Sequence, residues 1–197
     1  MATTLPTGRL NELTNGTTRR EFNTKETAIL IRAALKAAFP GQKFSVTTSY
    51  ASMTSSTSIR WTDGPTQPEV ELITDRFTSR GFDGMTDSTT YHSQELNGEP
   101  VTYSGWVHVR RDLSPALLEK ALSRFQVMRS EYGLPAANVA VQAGHFPHVD
   151  GPDMNAEAGV NPCGFRYAFR CVSDAVQSVA HHLRPNGCLV FVKVGAR

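Results

Sequence analysis

Four side chains able to ligate a metal, His145, His148, Asp150 and Asp153, lie close together in one stretch of the chain. Imidazole nitrogens and carboxylate oxygens in such a group suit a borderline divalent cation. The H-x-x-H-x-D order lacks helical spacing and has no residues beside it to orient the imidazoles. Asp150-Gly151-Pro152 also reads as a solvated turn, so no metal is assigned. Asp63, Asp83 and Asp87 are candidates for paired carboxylates in general acid/base work, but each sits beside Gly or in a turn, and turn formation accounts for them. The chain has no G-x-S-x-G elbow, Walker A loop or H-E-x-x-H. Cys163, Cys171 and Cys188 form neither a C-x-x-C pair nor an even disulfide set, which predicts reduced, mostly buried thiols and a reducing compartment. His181 and His182, near a predicted helix end, fit the negative pole of the helix dipole. No catalytic residue and no cofactor emerges from these patterns.

The remaining chemistry is that of binding. In Gly164 to Arg170, aromatic residues alternate with Arg166, Ala168 and Arg170, as on a strand. An RNA-recognition motif places stacking aromatics on such a strand. The match is partial, because Cys163 stands where a basic residue is wanted and Arg170 where an aromatic is wanted. Period-two aromatics more commonly face covering helices, which leaves Arg166 and Arg170 on the open face. With His108 and Arg110 on a neighbouring strand, these four residues form the predicted partner-binding surface.

The elements positioning these residues follow from periodicity. Asn23 with Glu26 makes a capping box, and Ala28, Ile31, Leu35 and Phe39 lay an apolar stripe along a helix at about 24–38, before Pro40-Gly41. Phe44 to Tyr50 and Ile59 to Trp61 alternate as two antiparallel strands. The hydroxyl-rich run between them, within Ser45 to Ser58, reads as a mobile loop. Thr66 and Glu69 suggest a second capping box, with Val70, Ile73 and Phe77 on one helical face until Gly81. Asn97-Gly98-Glu99-Pro100 marks a seam. Beyond it come a strand at Val101 to Val109, a helix from Ser114-Pro115 carrying Leu118, Leu122, Phe125 and Met128, and a short strand within Asn138 to Ala143. A long loop leads to the strand at Phe165 to Cys171, a helix near Asp174 to Leu183 and a strand at Cys188 to Val194. The predicted fold class is α+β: a flexible arm at 1–21, an αββα module at 22–97, and a ferredoxin-like βαββαβ module at 98–197.

The blocks Thr27 to Val46, Ser58 to Thr66 and Gly81 to Asp87 together resemble the large polyvalent protein-associated domains. The resemblance covers about residues 22–92. Such domains are carried by phages, plasmids and integrative elements, so it implies a mobile-element protein in a bacterial cytoplasm. It brings no catalytic residues with it, and the second half matches no family.

Lys and Arg total 20 against 18 Asp and Glu, so no global field draws the chain to nucleic acid or anionic membrane. A modest basic surplus lies beyond residue 100. The first twenty-one residues hold no signal peptide or span, and the composition is that of a soluble globular protein. The combined expectation is a non-catalytic protein that inhibits a host defence system. The specific form is an anti-CRISPR protein that binds or disassembles an effector complex through protein contacts. The alternatives are a nucleic-acid-binding accessory protein of conjugation or phage entry, and a hydrolase assembled from distant residues.

Overall fold

The computed structural model describes residues 5–12, 18–52, 54–131 and 172–190, with residue 136 and the pairs 139–140, 148–149, 159–160 and 166–167. Its described residues are mixed α and β: four helices and several small sheets. In chain order these are β1 (Arg9–Glu12), β2 (Thr18–Phe22), α1 (Thr24–Ala38), β3 (Ser45–Ala51), β4 (Thr54–Thr62) and α2 (Gln67–Thr74). Then come β5 (Arg80–Asp83), β6 (Ser88–Tyr91), β7 (Gln94–Leu96), β8 (Glu99–Tyr103), β9 (Trp106–Asp112) and α3 (Pro115–Glu131). The pairs β10 (Val139–Ala140), β11 (His148–Val149), β12 (Gly159–Val160) and β13 (Arg166–Tyr167) precede α4 (Val172–His182). The chain divides into two units: residues 1–61 with 69–110, and residues 62–68 with 111–197.

In the first unit, α1 forms where its local signals place it. The Asn23 side chain accepts from the Lys25 and Glu26 amides, and the Glu26 carboxylate accepts from the Asn23 amide, which satisfies donors the helix leaves open. Its apolar stripe, with Ile31 and Leu35, packs into a core with Phe22, Val46, Ile59, Trp61, Val70, Phe77, Val101 and Tyr103. Phe22 and Tyr103 stack at 5.4 Å where β2 and β8 run parallel.

Several expectations are corrected here. The segment expected as a mobile arm supplies β1 and β2 instead, tied down by β2–β8 pairing, by buried Phe22 and by an Arg20–Glu99 ion pair at 3.0 Å. The hydroxyl-rich run is largely strand, since β3 and β4 pair from Ser45↔Arg60 to Ala51↔Thr54. Its Ser and Thr residues line the sheet, and Thr57 is buried. The second helix ends at Thr74 and tightens into a 3-10 turn at Asp75–Phe77, while Gly81 lies in β5. The single strand read at Val101 to Val109 is two. β8 joins a sheet ordered β1-β2-β8-β7, and β9 joins one ordered β3-β4-β9. Asn97 and Gly98 take φ of 54° and 81° and close the tight β7–β8 hairpin, in which Leu96 pairs with Glu99.

The second unit has its own core, in which Leu117, Leu118, Ala121, Phe125 and Met128 of α3 meet Val176, Val179, Ala180 and Leu183. Arg111 organises the end of α4. Its guanidinium, 5% exposed, donates to the carbonyls of Ala180, His181 and Leu183 at 3.0, 3.1 and 2.7 Å, and to those of Asp63 and Gly64 at 2.9 and 3.3 Å. A cation thus sits where the helix leaves carbonyls unpaired. Asp63 and Gly64 hold left-handed φ of 54° and 59°, and the Asp63 carboxylate accepts from the Ser114 amide at 2.8 Å, ahead of α3.

His181 lies in the last turn of α4, where the sequence places it, beside this cation. Burial, then the charges of Arg111 and His182, push its pKa below the ordinary 6.5. Gln177 faces its Nε2 at 3.4 Å, which suits a neutral ring accepting there. Because the folded pKa is depressed, the unfolded chain takes up the proton first as the pH falls. Stability should therefore decline from about pH 6.5 downward and level off below the folded pKa. Melting curves across that range should show His181→Gln with a flatter acid limb than the parent; equal limbs would contradict this assignment.

The ferredoxin-like arrangement expected for the C-terminal half is not seen among the described residues, where β10–β11 and β12–β13 form separate two-stranded pairs. Cys188 is exposed, contrary to the buried thiol expected, because it follows the Pro185 to Gly187 turn and its amide is held by the Asn186 side chain. The expected strand from Cys188 to Val194 falls mostly outside the described residues. No described helix is long and apolar enough to cross a membrane.

Candidate functional site

The sequence singled out four partner-binding residues. On β9, Val107 and Val109 pack toward the first unit's core, so the two-residue period turns His108 and Arg110 outward, and both are exposed. Buried Ile59 and Trp61 on β4 likewise turn Arg60 to the outside, and Val46 on β3 does the same for Ser45 and Thr47. The sheet β3-β4-β9 therefore presents hydroxyls with Arg60, His108 and Arg110. Its only acidic residue is Asp112, at the end of β9. Arg166 lies on β13, which pairs with β12 (Val160↔Arg166), whereas β9 lies in the sheet with β4. Arg170 falls outside the described residues.

The other candidates resolve simply. Asp83 accepts from the Met85 amide at 2.9 Å and the Thr86 hydroxyl at 2.8 Å, and these bonds hold its pKa below the usual 3.8. It shapes the β5–β6 turn, in which Asp87, with φ of 50°, takes the left-handed position instead of Gly84. Gly84 has open space about it, so a side chain there meets nothing. Of the candidate metal ligands, His148 lies on β11, and His145, Asp150 and Asp153 fall outside the described residues. Among the described residues, no three His, Cys, Asp or Glu side chains gather as a metal site.

Sequence reading missed a cleft in the first unit. It has a volume of about 260 Å³ and is lined by Arg19 and Glu21 of β2, Thr102 and Tyr103 of β8, Ser104, and the β5–β6 residues Arg80 and Tyr91, with Ser79, His92 and Ser93. Its walls are held by bonds that cross between elements: the Tyr103 amide donates to the Ser79 hydroxyl at 3.0 Å, the Ser104 amide to the Phe22 carbonyl at 2.9 Å, and the His92 amide to the Ser79 carbonyl at 3.1 Å. His92 Nε2 lies 2.9 Å from the Thr78 carbonyl, which can only accept, so this nitrogen carries the proton. The Arg80 guanidinium lies over the Tyr91 ring, 5.4 Å from its centroid. Burial raises the Tyr103 pKa above 10.0, opposed in part by Arg76, so the phenol stays protonated at neutral pH. No spacing signal exists for this cleft, since its residues come from segments some eighty positions apart.

No curated protein and no solved structure matches the chain. Residues 22–114, which carry the elements from α1 to β9, match the family model described as large polyvalent protein associated domain 29, and this segment belongs to that family.

Proposed function

We propose that the chain is a non-catalytic binding protein, carried by a phage or other mobile element, that inhibits a host defence system in the bacterial cytoplasm. The family of residues 22–114 carries this reading, because such domains are associated with phages and mobile elements. The specific form proposed is an anti-CRISPR protein that occupies a protein surface of an effector complex. The exposed, hydroxyl-rich face of β3-β4-β9, with Arg60, His108 and Arg110, supports contact with a partner, since arginine is enriched at interface hot spots. Arg166 and Arg170 belong to the same proposal. A ferredoxin-like second unit competing with the RNA-recognition-like subunits of such complexes rests on analogy of fold alone.

The test is calorimetric titration of the chain into a purified CRISPR effector complex, beside a melting curve. His108→Ala with Arg110→Ala should weaken binding by about 1–4 kcal/mol without lowering the melting temperature, and Arg166→Ala with Arg170→Ala should act likewise. An effector complex that ignores the parent chain would sink the anti-CRISPR reading. Parent-like binding by both double variants would remove these surfaces from it.

A further inference from the structure

The cleft bounded by β2, β6 and β8 holds two guanidiniums, and their partners are what make it informative. Arg20 is paired with Glu99, but among the described residues no carboxylate forms an ion pair with Arg19 or Arg80. Arg80 is nonetheless fixed in place by its stacking over Tyr91. The remaining lining is rich in hydroxyls, from Ser79, Ser93, Thr102, Tyr103 and Ser104. Paired guanidiniums with surrounding hydroxyl donors are the chemistry that binds a phosphate oxyanion.

Two further features narrow the ligand. Glu21 lines the same cleft, its carboxylate accepting from Asn11 at 2.6 Å and from the Ser104 hydroxyl at 3.4 Å. One carboxylate against two guanidiniums leaves a surplus of one positive charge, which balances a singly charged phosphodiester. The Tyr91 side chain is 71% exposed, so with Arg80 on one face the other remains open to a planar ring. An aromatic face beside a cationic groove is how bases of a single strand are held without reading their sequence. A cleft of about 260 Å³ has room for one such unit, not for a duplex.

We propose that this cleft binds single-stranded nucleic acid, one phosphodiester lying between Arg19 and Arg80 and the adjoining base stacked on Tyr91. His92, whose Nε2 is bonded to the Thr78 carbonyl, leaves Nδ1 for contact with a base or sugar group.

Fluorescence anisotropy of labelled ten-nucleotide oligo-dT and oligo-U with the full chain tests this, with AMP and inorganic phosphate as competitors. The parent should bind the oligonucleotides, and both competitors should displace them only weakly. Arg19→Gln with Arg80→Gln should lower affinity about tenfold or more and reduce the slope of log affinity against log salt by about 0.7, the contribution of one phosphate in a single strand. Tyr91→Ala, at an exposed position outside the core, should cost about fivefold or more through lost stacking and leave the salt slope unchanged. Absence of oligonucleotide binding, parent-like binding by both variants, or tighter binding of AMP than of the ten-nucleotide strands would each overturn the proposal.

Discussion

Arg111→Ala is expected to destabilise the chain by about 3–5 kcal/mol, the cost typical of removing one partner from a buried charged network. The guanidinium bonds five carbonyls, three of them at the end of α4. Alanine would leave a cavity where these oxygens now share one donor group, the Ala180 carbonyl keeping the Leu183 amide at 3.2 Å, and the burial that now costs one well-satisfied cation would become the cost of under-satisfied acceptors. Arg111→Lys should recover only part of the loss, because an ammonium carries its donors on one atom and cannot span the Asp63 turn and the α4 terminus together. Urea titration followed by circular dichroism reads the effect. A midpoint within error of the parent would mean that water replaces the guanidinium at little cost, and the account of the α4 terminus given above would fail.

Gly105→Ala is expected to cost about 2–4 kcal/mol, from the left-handed conformation and from overpacking together. The residue has φ of 90°, and a Cβ built on it would stand 2.9 Å from both the carbonyl oxygen and the hydroxyl of Ser55, and 3.2 Å from the Ser55 carbonyl carbon. That neighbour cannot retreat freely, because its hydroxyl is bonded to Thr24 at 2.7 Å at the start of α1, and β4 is paired along its length with β3. Gly105 lies between β8 and β9, where the chain leaves one sheet and enters another. Thermal melting of Gly105→Ala beside Gly84→Ala makes the comparison internal, since Gly84 has no such neighbour and should melt like the parent. Equal melting temperatures for the two variants would show that Ser55 yields without penalty.

Gly105 also marks where the sequence stopped being readable. Apolar alternation from Val101 to Val109 continues across it, so periodicity alone joined β8 to β9. The lone glycine inside a strand pattern was the signal that the chain turns there. By contrast α1 was legible to within a residue, because its cap, apolar stripe and Pro-Gly stop all lie within the segment itself. The hydroxyl-rich strands misled for the opposite reason: Ser and Thr resemble loop residues by polarity, and only pairing with β3 reveals that Thr57 is buried. His108 and Arg110 are exposed on β9, which lies in the sheet with β4, whereas Arg166 lies on β13 paired with β12. The cleft was beyond reach, since it exists only when β2, β5, β6 and β8 have found one another, and no local pattern encodes the approach of Arg19 to Arg80.

The parallel pairing of β2 with β8 has a consequence for how the chain is made. Phe22 leaves the ribosome long before Tyr103, its stacking partner, and at ordinary elongation rates the interval is about 4 to 16 s. Throughout that time β2 has no parallel neighbour, and Phe22 is an exposed aromatic at the head of an already capped α1. Arg111 waits nearly as long, because the carbonyl of Leu183 follows it by about seventy residues. The nascent protein thus carries first an unburied aromatic and then an unsatisfied guanidinium. A chaperone that recognises aromatic segments would have its opportunity before Tyr103 emerges and lose it once β8 docks.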